Sequence, residues 1–131
     1  MAGVAERERV RVLVIDDASL VRAYYREALE RAGFAVAEAM NGIEALEHLL
    51  REPADLLIVD VNMPKMDGLT FLRSLRRLRP PVCGIPALVT STEAADSDKD
   101  AARAAGANFY LVKPVAQGVI AGLAAMMCAP A

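Results

Sequence analysis

Cysteine and histidine are scarce in this 131-residue chain, two of the first and one of the second. Cys83 and Cys128 stand alone, without CxxC or other metal-ligand spacing, and read as reduced thiols in or near the core. His48 sits among polar helix neighbours and reads as a surface residue, not a phosphohistidine. Basic excess is also missing. Fifteen Lys and Arg face seventeen Asp and Glu, a net charge of −2, so electrostatics alone would not draw the fold onto nucleic acid. No apolar run approaches bilayer length, and the opening Met1 to Arg9 is short, charged and without a signal-peptide core. These absences point to a cytoplasmic protein with no membrane insertion.

What the chain does have is an alternation of strand-like and helix-like segments. Residues 1–8 read as a flexible tail and 9–131 as a single domain, long enough to bury a core without staples. Val10 to Ile15 is a β-branched apolar run, as expected of a strand covered on both faces. Ser19 is placed to cap a helix from Leu20 to Ala32, with Tyr24 and Tyr25 supplying its core and rim, and Gly33 to stop it. Phe34 to Ala39 is a weaker strand, Asn41-Gly42 a turn, and Ile43 to Arg51 a helix with Ile43, Leu46 and Leu50 on one face. Leu56 to Val59 is the most apolar strand and therefore central. A helix from Leu69 to Leu78, a strand Ala87 to Thr90, a helix Glu93 to Ala105, a strand Phe109 to Val112 and a helix Gln117 to Met127 complete five βα units. Right-handed crossovers then give an α/β fold, a doubly wound five-stranded parallel sheet with strand order 2-1-3-4-5.

Polar signals stand where the apolar runs end: Asp16-Asp17, Asp60, Thr90 and Lys113. Parallel strands bring all of them to the carboxyl edge of one sheet, where open α/β sheets bind ligands. Three carboxylates in a small crevice repel one another unless a divalent cation joins them, and Mg²⁺ suits such an all-oxygen site. An ammonium and a hydroxyl opposite that metal suit a phosphoryl group. An aspartate fixed on the central strand can attack phosphorus and form a mixed acyl phosphate. Lys113 would neutralise one phosphoryl oxygen and Thr90 would hydrogen-bond another. Taken alone, Asp16-Asp17 reads more readily as a turn and helix-capping pair, a reading that loses once Asp60 joins it; alone, Lys113 could be a solvated lysine and Thr90 a capping threonine, and Tyr110 reads as packing. Arg73, Arg76, Arg77 and Arg79 read as a solvated face near a helix C-terminus.

Asp16-Asp17, the stretch Asp60-Val-Asn-Met-Pro-Lys-Met-Asp-Gly68, Thr90, and Tyr110-Leu-Val-Lys113-Pro114 together resemble the receiver domain of response regulators, most closely the single-domain chemotaxis type called CheY. The resemblance implies that Asp60 is the phosphoacceptor. It also implies that Asp17 binds Mg²⁺ (or Mn²⁺) directly, that Asp16 acts through water, and that Asn62 offers its backbone carbonyl. By the same resemblance Lys113 contacts the phosphoryl group and precedes a cis bond to Pro114. Thr90 is the switch hydroxyl, Tyr110 the rotating switch aromatic, and Asn62 and Thr92 tune the lifetime of the acyl phosphate. The implied partners are a histidine kinase or phosphotransfer domain, met by the first helix, and a downstream protein on the surface of the fourth helix, fifth strand and fifth helix. The implied state is a monomer. Departures are Val115 where Phe is common, Gly118 and Gly122 in the last helix, and the run Thr90-Ser91-Thr92.

With about seventeen residues after Pro114 there is room for one helix, so output is expected through protein contact. A stand-alone chemotaxis-type regulator is the leading expectation, and a phosphorelay intermediate or phosphate sink the alternative. A metal-dependent phosphatase with an aspartate nucleophile lacks its second acid, since that position holds Asn62. An unphosphorylated scaffold would not need the intact acidic set.

Overall fold

The structure, a computed structural model, describes residues 9–128. The expected tail at 1–8 lies outside the described residues. Five strands and five helices alternate: β1 Arg11–Ile15, α1 Ser19–Arg31, β2 Ala35–Ala39, α2 Gly42–Arg51, β3 Leu56–Asp60, α3 Gly68–Arg76, β4 Ala87–Ser91, α4 Asp96–Ala105, β5 Phe109–Val112 and α5 Gln117–Met127. A short 3₁₀ turn, Val82–Gly84, precedes β4. All strand pairs are parallel, and the order is β2-β1-β3-β4-β5. This is the architecture that the alternating pattern predicts, with β3 in the centre and buried along its whole length.

Side-chain alternation divides the core in two. Leu13, Ile15, Leu57, Val59 and Val89 face one side and pack with Phe71, Leu72 and Leu75 of α3 and Ala102 and Ala105 of α4. Val12, Val14, Leu56, Ile58 and Leu88 face the other and pack with Tyr25, Ala28 and Leu29 of α1 and Ile120 and Ala124 of α5. Each face of the sheet is therefore sealed by helices, which explains strands that read as continuous apolar runs. Among the described residues no helix is long and apolar enough to cross a membrane.

Several local expectations need correction. Ser19 is the first helical residue and no cap; Ala18 precedes it, and its N–H donates to Asp16 Oδ1 at 2.9 Å. The aspartate thus does at the end of β1 what a serine was expected to do. Asn41 is more than a turn residue, because its side chain accepts from Glu44 N and caps α2. On α2 the buried residues include Ala45 and Leu49, and Leu46 packs partly buried against the core, while Ile43 and Leu50 are exposed, so the buried face is rotated from the expected one. Helix α4 begins at Asp96, three residues later than expected, because Ser91 Oγ accepts from Glu93 N and holds an irregular loop open. His48 is half-buried in a cleft beside Leu13 and Ala37, not on the surface.

The arginine run is not uniformly solvated. Arg76 turns inward and donates to the carbonyls of Gly106, Cys83 and Ile85, tying the end of α3 to the approaches of β4 and β5. Gly106 has φ +111°, and a Cβ there would strike the Arg76 side chain. Both cysteines are free thiols.

Gly68 is packed directly against backbone. A Cβ at Gly68 would lie 2.2 Å from the backbone oxygen of Asp60, so α3 can start beneath β3 only if residue 68 has no side chain. Gly118 and Gly122 have open space around them. Gly68→Ala should therefore cost about 2–3 kcal/mol or more, as overpacking against a backbone does. Gly122→Ala should instead add roughly 0.5–1 kcal/mol, the helix-propensity gain at an exposed interior position. Urea unfolding of both variants checks the pair.

Candidate functional site

The sheet's register assembles the site. Ile15 pairs with Val59, and Asp60 with Thr90, so Asp16, one step past Ile15, draws level with Asp60. Val14, Ile58 and Leu88 face α1 and α5. Two residues further along each strand, alternation turns Asp16, Asp60 and Thr90 to that same face. Lys113 stands two beyond Leu111, which packs on that face as well. Carboxylate oxygens of Asp16, Asp17 and Asp60 lie within 4.8 Å of one another, Asp16 and Asp60 buried and Asp17 exposed. That is a donor set of hard oxygens fitting Mg²⁺ or Mn²⁺.

Lys113 balances the buried pair. Its Nζ lies 3.0 Å from Asp16 Oδ2 and 3.1 Å from Asp60 Oδ1. Burial opposes the charge of this ammonium, but hydrogen bonds and charge from Asp16 and Asp60 outweigh it, and the Lys113 pKa is raised. Burial and the negative charge of Asp16 push the Asp60 carboxyl up to about 6, against the pull of Lys113 and the Asn62 backbone N–H. Thr90 Oγ1 is buried without a hydrogen-bond partner, alone in this among the described residues. A buried hydroxyl left without a partner marks a place where an acceptor is expected to arrive.

A second ring of contacts fixes this edge. Arg22 donates through Nη1 to the Asp16 carbonyl at 2.7 Å and through Nε to Glu38 at 2.8 Å, and Arg26 meets the same carboxylate at 2.7 Å. Glu38 is held below the ordinary carboxylate range because these arginines outweigh its burial. Gln117 donates to Tyr24 twice, from its N to the phenolic oxygen and from Nε2 to the carbonyl, locking α1 to the start of α5. The Lys113–Pro114 bond is cis, as expected. A second cis bond, Pro80–Pro81, was not foreseen.

Of the residues singled out in the sequence, Asp16, Asp17, Asp60, Thr90 and Lys113 come together, and Asn62 and Thr92 lie exposed on adjoining loops. Tyr110 does not join them. It pairs with Val89 and packs on the opposite face of the sheet, its hydroxyl donating to Glu93 O at 2.7 Å. Arg22 carries no sequence expectation, and Tyr25 reads in the sequence only as packing of the first helix. Both lie in the first two turns of α1, which start from the loop carrying the paired aspartates, and that proximity was the available signal.

Residues 12–124 match the response regulator receiver domain. The chain belongs to that family. A gliding motility regulatory protein of Myxococcus xanthus is 39% identical over 106 residues, 81% of this chain and 14% of that protein. The transcriptional regulatory protein PrrA of Mycobacterium tuberculosis is 40% identical over 104 residues, 79% of this chain and 43% of that one. The chain thus spans less than half the length of these curated relatives. Among solved structures, the chemotaxis response regulator CheY4 of Vibrio cholerae superposes with a TM-score of 0.84 at 31% identity, covering 90% of this chain and 98% of that one. The protein is accordingly a receiver domain of two-component signalling, with the acidic cluster typical of Mg²⁺ binding in such domains.

Because the folded-state pKa of Asp60 is raised, its charged form costs stability above about pH 6. That cost fades as pH falls from there toward the ordinary carboxylate value. In metal-free buffer Asp60→Asn should be more stable than wild type at pH 7.5, by about 1–3 kcal/mol. The gap should close near pH 4. Urea midpoints in EDTA at the two pH values check both the sign and the window.

Proposed function

We propose that this receiver domain accepts a phosphoryl group on Asp60 from a histidine kinase or phosphotransfer domain and passes the signal to a protein target, as a stand-alone regulator of chemotaxis type. The observation that carries the reading is the orphaned Thr90 Oγ1 facing the Asp60–Lys113 pair. The near-complete overlap with the chemotaxis regulator of Vibrio cholerae supports the chemotaxis assignment. The site is expected to work in the cytoplasm, where its two free thiols stay reduced. The protein is no enzyme in the ordinary sense, since it acts only on its own phosphoryl group.

In the proposed reaction an Asp60 carboxylate oxygen attacks phosphorus. The bond from phosphorus to the donor nitrogen, or to the carboxylate of a small donor, breaks, and the electron pair leaves with the donor. Mg²⁺ or Mn²⁺, held by Asp16, Asp17, Asp60 and the Asn62 carbonyl, would supply charge neutralisation to the phosphoryl oxygens. Lys113 is already at the nucleophile and needs only to shift from carboxylate to phosphoryl oxygen. Thr90 Oγ1 gains its missing partner. Water later attacks phosphorus and restores the carboxylate, past Asn62 and Thr92 on the exposed side.

Output would follow from the loop after β4. Thr90 and Tyr110 lie on opposite faces of the sheet, but Glu93 joins them: its N–H is held by Ser91 Oγ and its carbonyl accepts from Tyr110. Movement of Thr90 toward a phosphoryl oxygen pulls this loop, weakens the hold on the Tyr110 hydroxyl, and frees the ring to rotate. Lys99, Arg103, Phe109 and Tyr110 line one cleft of about 310 Å³, and with Val119 on α5 form the surface on which we place the downstream protein. The module itself acts as a monomer.

Acetyl phosphate with Mg²⁺ should add one phosphoryl group to wild type and none to Asp60→Asn, read by intact-mass spectrometry. Undiminished addition to the variant would remove Asp60 from this role. Mg²⁺ should also raise the melting temperature of wild type by mass action and that of Asp17→Ala far less, because a ligand is gone. Equal shifts in the two proteins would contradict the metal assignment.

A further inference from the structure

Tyr25 is 2% exposed, yet it belongs to no strand end and to none of the roles given above. It sits in the second turn of α1 and packs with Val14, Ile58, Leu88 and Val115. Val14, Ile58 and Leu88 lie one layer beneath Asp16, Asp60 and Thr90 on the same sheet face, so the ring rises from the core toward the site. Its upper end opens into a cleft of about 320 Å³ that it shares with Val21, Tyr24, Thr92, Lys113 and Pro114. Lys113, Asp16, Asp60 and Thr90 are all near enough to act on the phenol, although Thr90 Oγ1 closes no hydrogen bond with it.

A phenol is protonated near neutral pH in water, and burial strengthens that state. Burial raises its pKa, Lys113 lowers it, and Asp16 and Asp60 raise it again, with a net upward shift. Near neutral pH the group is a protonated O–H, able to donate. An apolar ring would fill the same core space, so the hydroxyl is what needs explaining. The hydroxyl closes no hydrogen bond within the protein and is not among the sealed polar atoms, so it meets the cleft and is free to donate into it.

We infer that the Tyr25 hydroxyl is a third hydrogen-bond donor, beside Thr90 and Lys113, to the phosphoryl group on Asp60. The assignment rests on the phosphoacceptor reading above. No covalent bond changes in this contact: the phenol O–H donates to a phosphoryl oxygen and keeps its proton. The phosphoryl group brings charge of about −1.5 to −2 and several acceptor oxygens, enough to engage three donors at once. Tyr25 then couples the site to α1 directly, independently of the loop after β4.

The test uses beryllofluoride with Mg²⁺ as the phosphoryl mimic and compares wild type, Tyr25→Phe and Asp60→Asn. Tyr25→Phe keeps the ring and removes only the hydroxyl. Its Mg²⁺ affinity should match wild type, while its affinity for beryllofluoride should fall roughly ten-fold, as expected for one lost hydrogen bond to a charged group. In wild type labelled with ¹³Cζ-tyrosine, the Tyr25 resonance, assigned by elimination with Tyr24→Phe and Tyr110→Phe, should move when beryllofluoride binds. A folded Tyr25→Phe protein that binds the mimic as tightly as wild type overturns the Tyr25 assignment and leaves the phosphoacceptor reading intact. Should Tyr25→Phe fail to fold, an unmoved Tyr25 resonance in wild type overturns it instead. A wild type that binds no beryllofluoride, or an Asp60→Asn protein that binds it equally, removes the phosphoacceptor reading and the Tyr25 contact with it.

Discussion

The ion pairing of Lys113 with Asp16 and Asp60 is the interaction on which the site depends. Two buried carboxylates with a third beside them would repel strongly in a crevice shielded from water. The ammonium at 3.0 and 3.1 Å supplies the counter-charge. It does so against burial and the charge of Asp16, which still push the Asp60 carboxyl up to about 6, and one ammonium faces three carboxylates. The crevice is thus left short of positive charge in the absence of a metal, which is the electrostatic condition for binding one. Breaking such a buried arrangement by removing one partner costs more than the pair contributes, because a buried charge is left alone.

That geometry is a product of strand parity. A parallel sheet in perfect register would bring any residues at its carboxyl edge together, but only alternate positions share a face. Asp16, Asp60, Thr90 and Lys113 meet because each stands two residues beyond an apolar side chain of the α1/α5 core. Tyr110, one residue out of phase with Leu111, falls on the other side. The division sets the phosphoacceptor candidate on the α1/α5 face and Tyr110 on the other, beside α4. Gly68 holds the arrangement close. Only a residue without a side chain lets α3 begin against the Asp60 backbone, and Gly68 N–H donates to Val61 O at 2.9 Å, fixing the loop that follows the phosphoacceptor candidate.

The strands and their order were legible in the sequence because both faces are covered, which leaves long apolar runs whose ends are sharp. The strand-end polar residues were legible for the same reason: a charge after such a run has nowhere to go but the edge. Helix starts were harder. Ser19 satisfied the composition rule for a cap, but the tertiary position of Asp16 gave its carboxylate prior access to the Ala18 N–H. On α2 the apolar residues Ile43, Leu46 and Leu50 marked a face of which only Leu46 packs on the core, because the helix turns Ala45 and Leu49 inward instead. Arg76 looked like one of four solvated arginines, and only the fold brings three orphaned carbonyls within its reach. Tyr25 resembled core packing, which its ring is; its hydroxyl matters only once the register of three other strands is known.

The central claim is that Lys113 stands in for the metal between the buried carboxylates. Thermal melting of wild type and Lys113→Met at pH 8, in EDTA and in saturating Mg²⁺, tests it most directly. The account predicts that the variant melts well below wild type in EDTA and that Mg²⁺ recovers most of the difference. Equal melting of the two proteins in EDTA would contradict it.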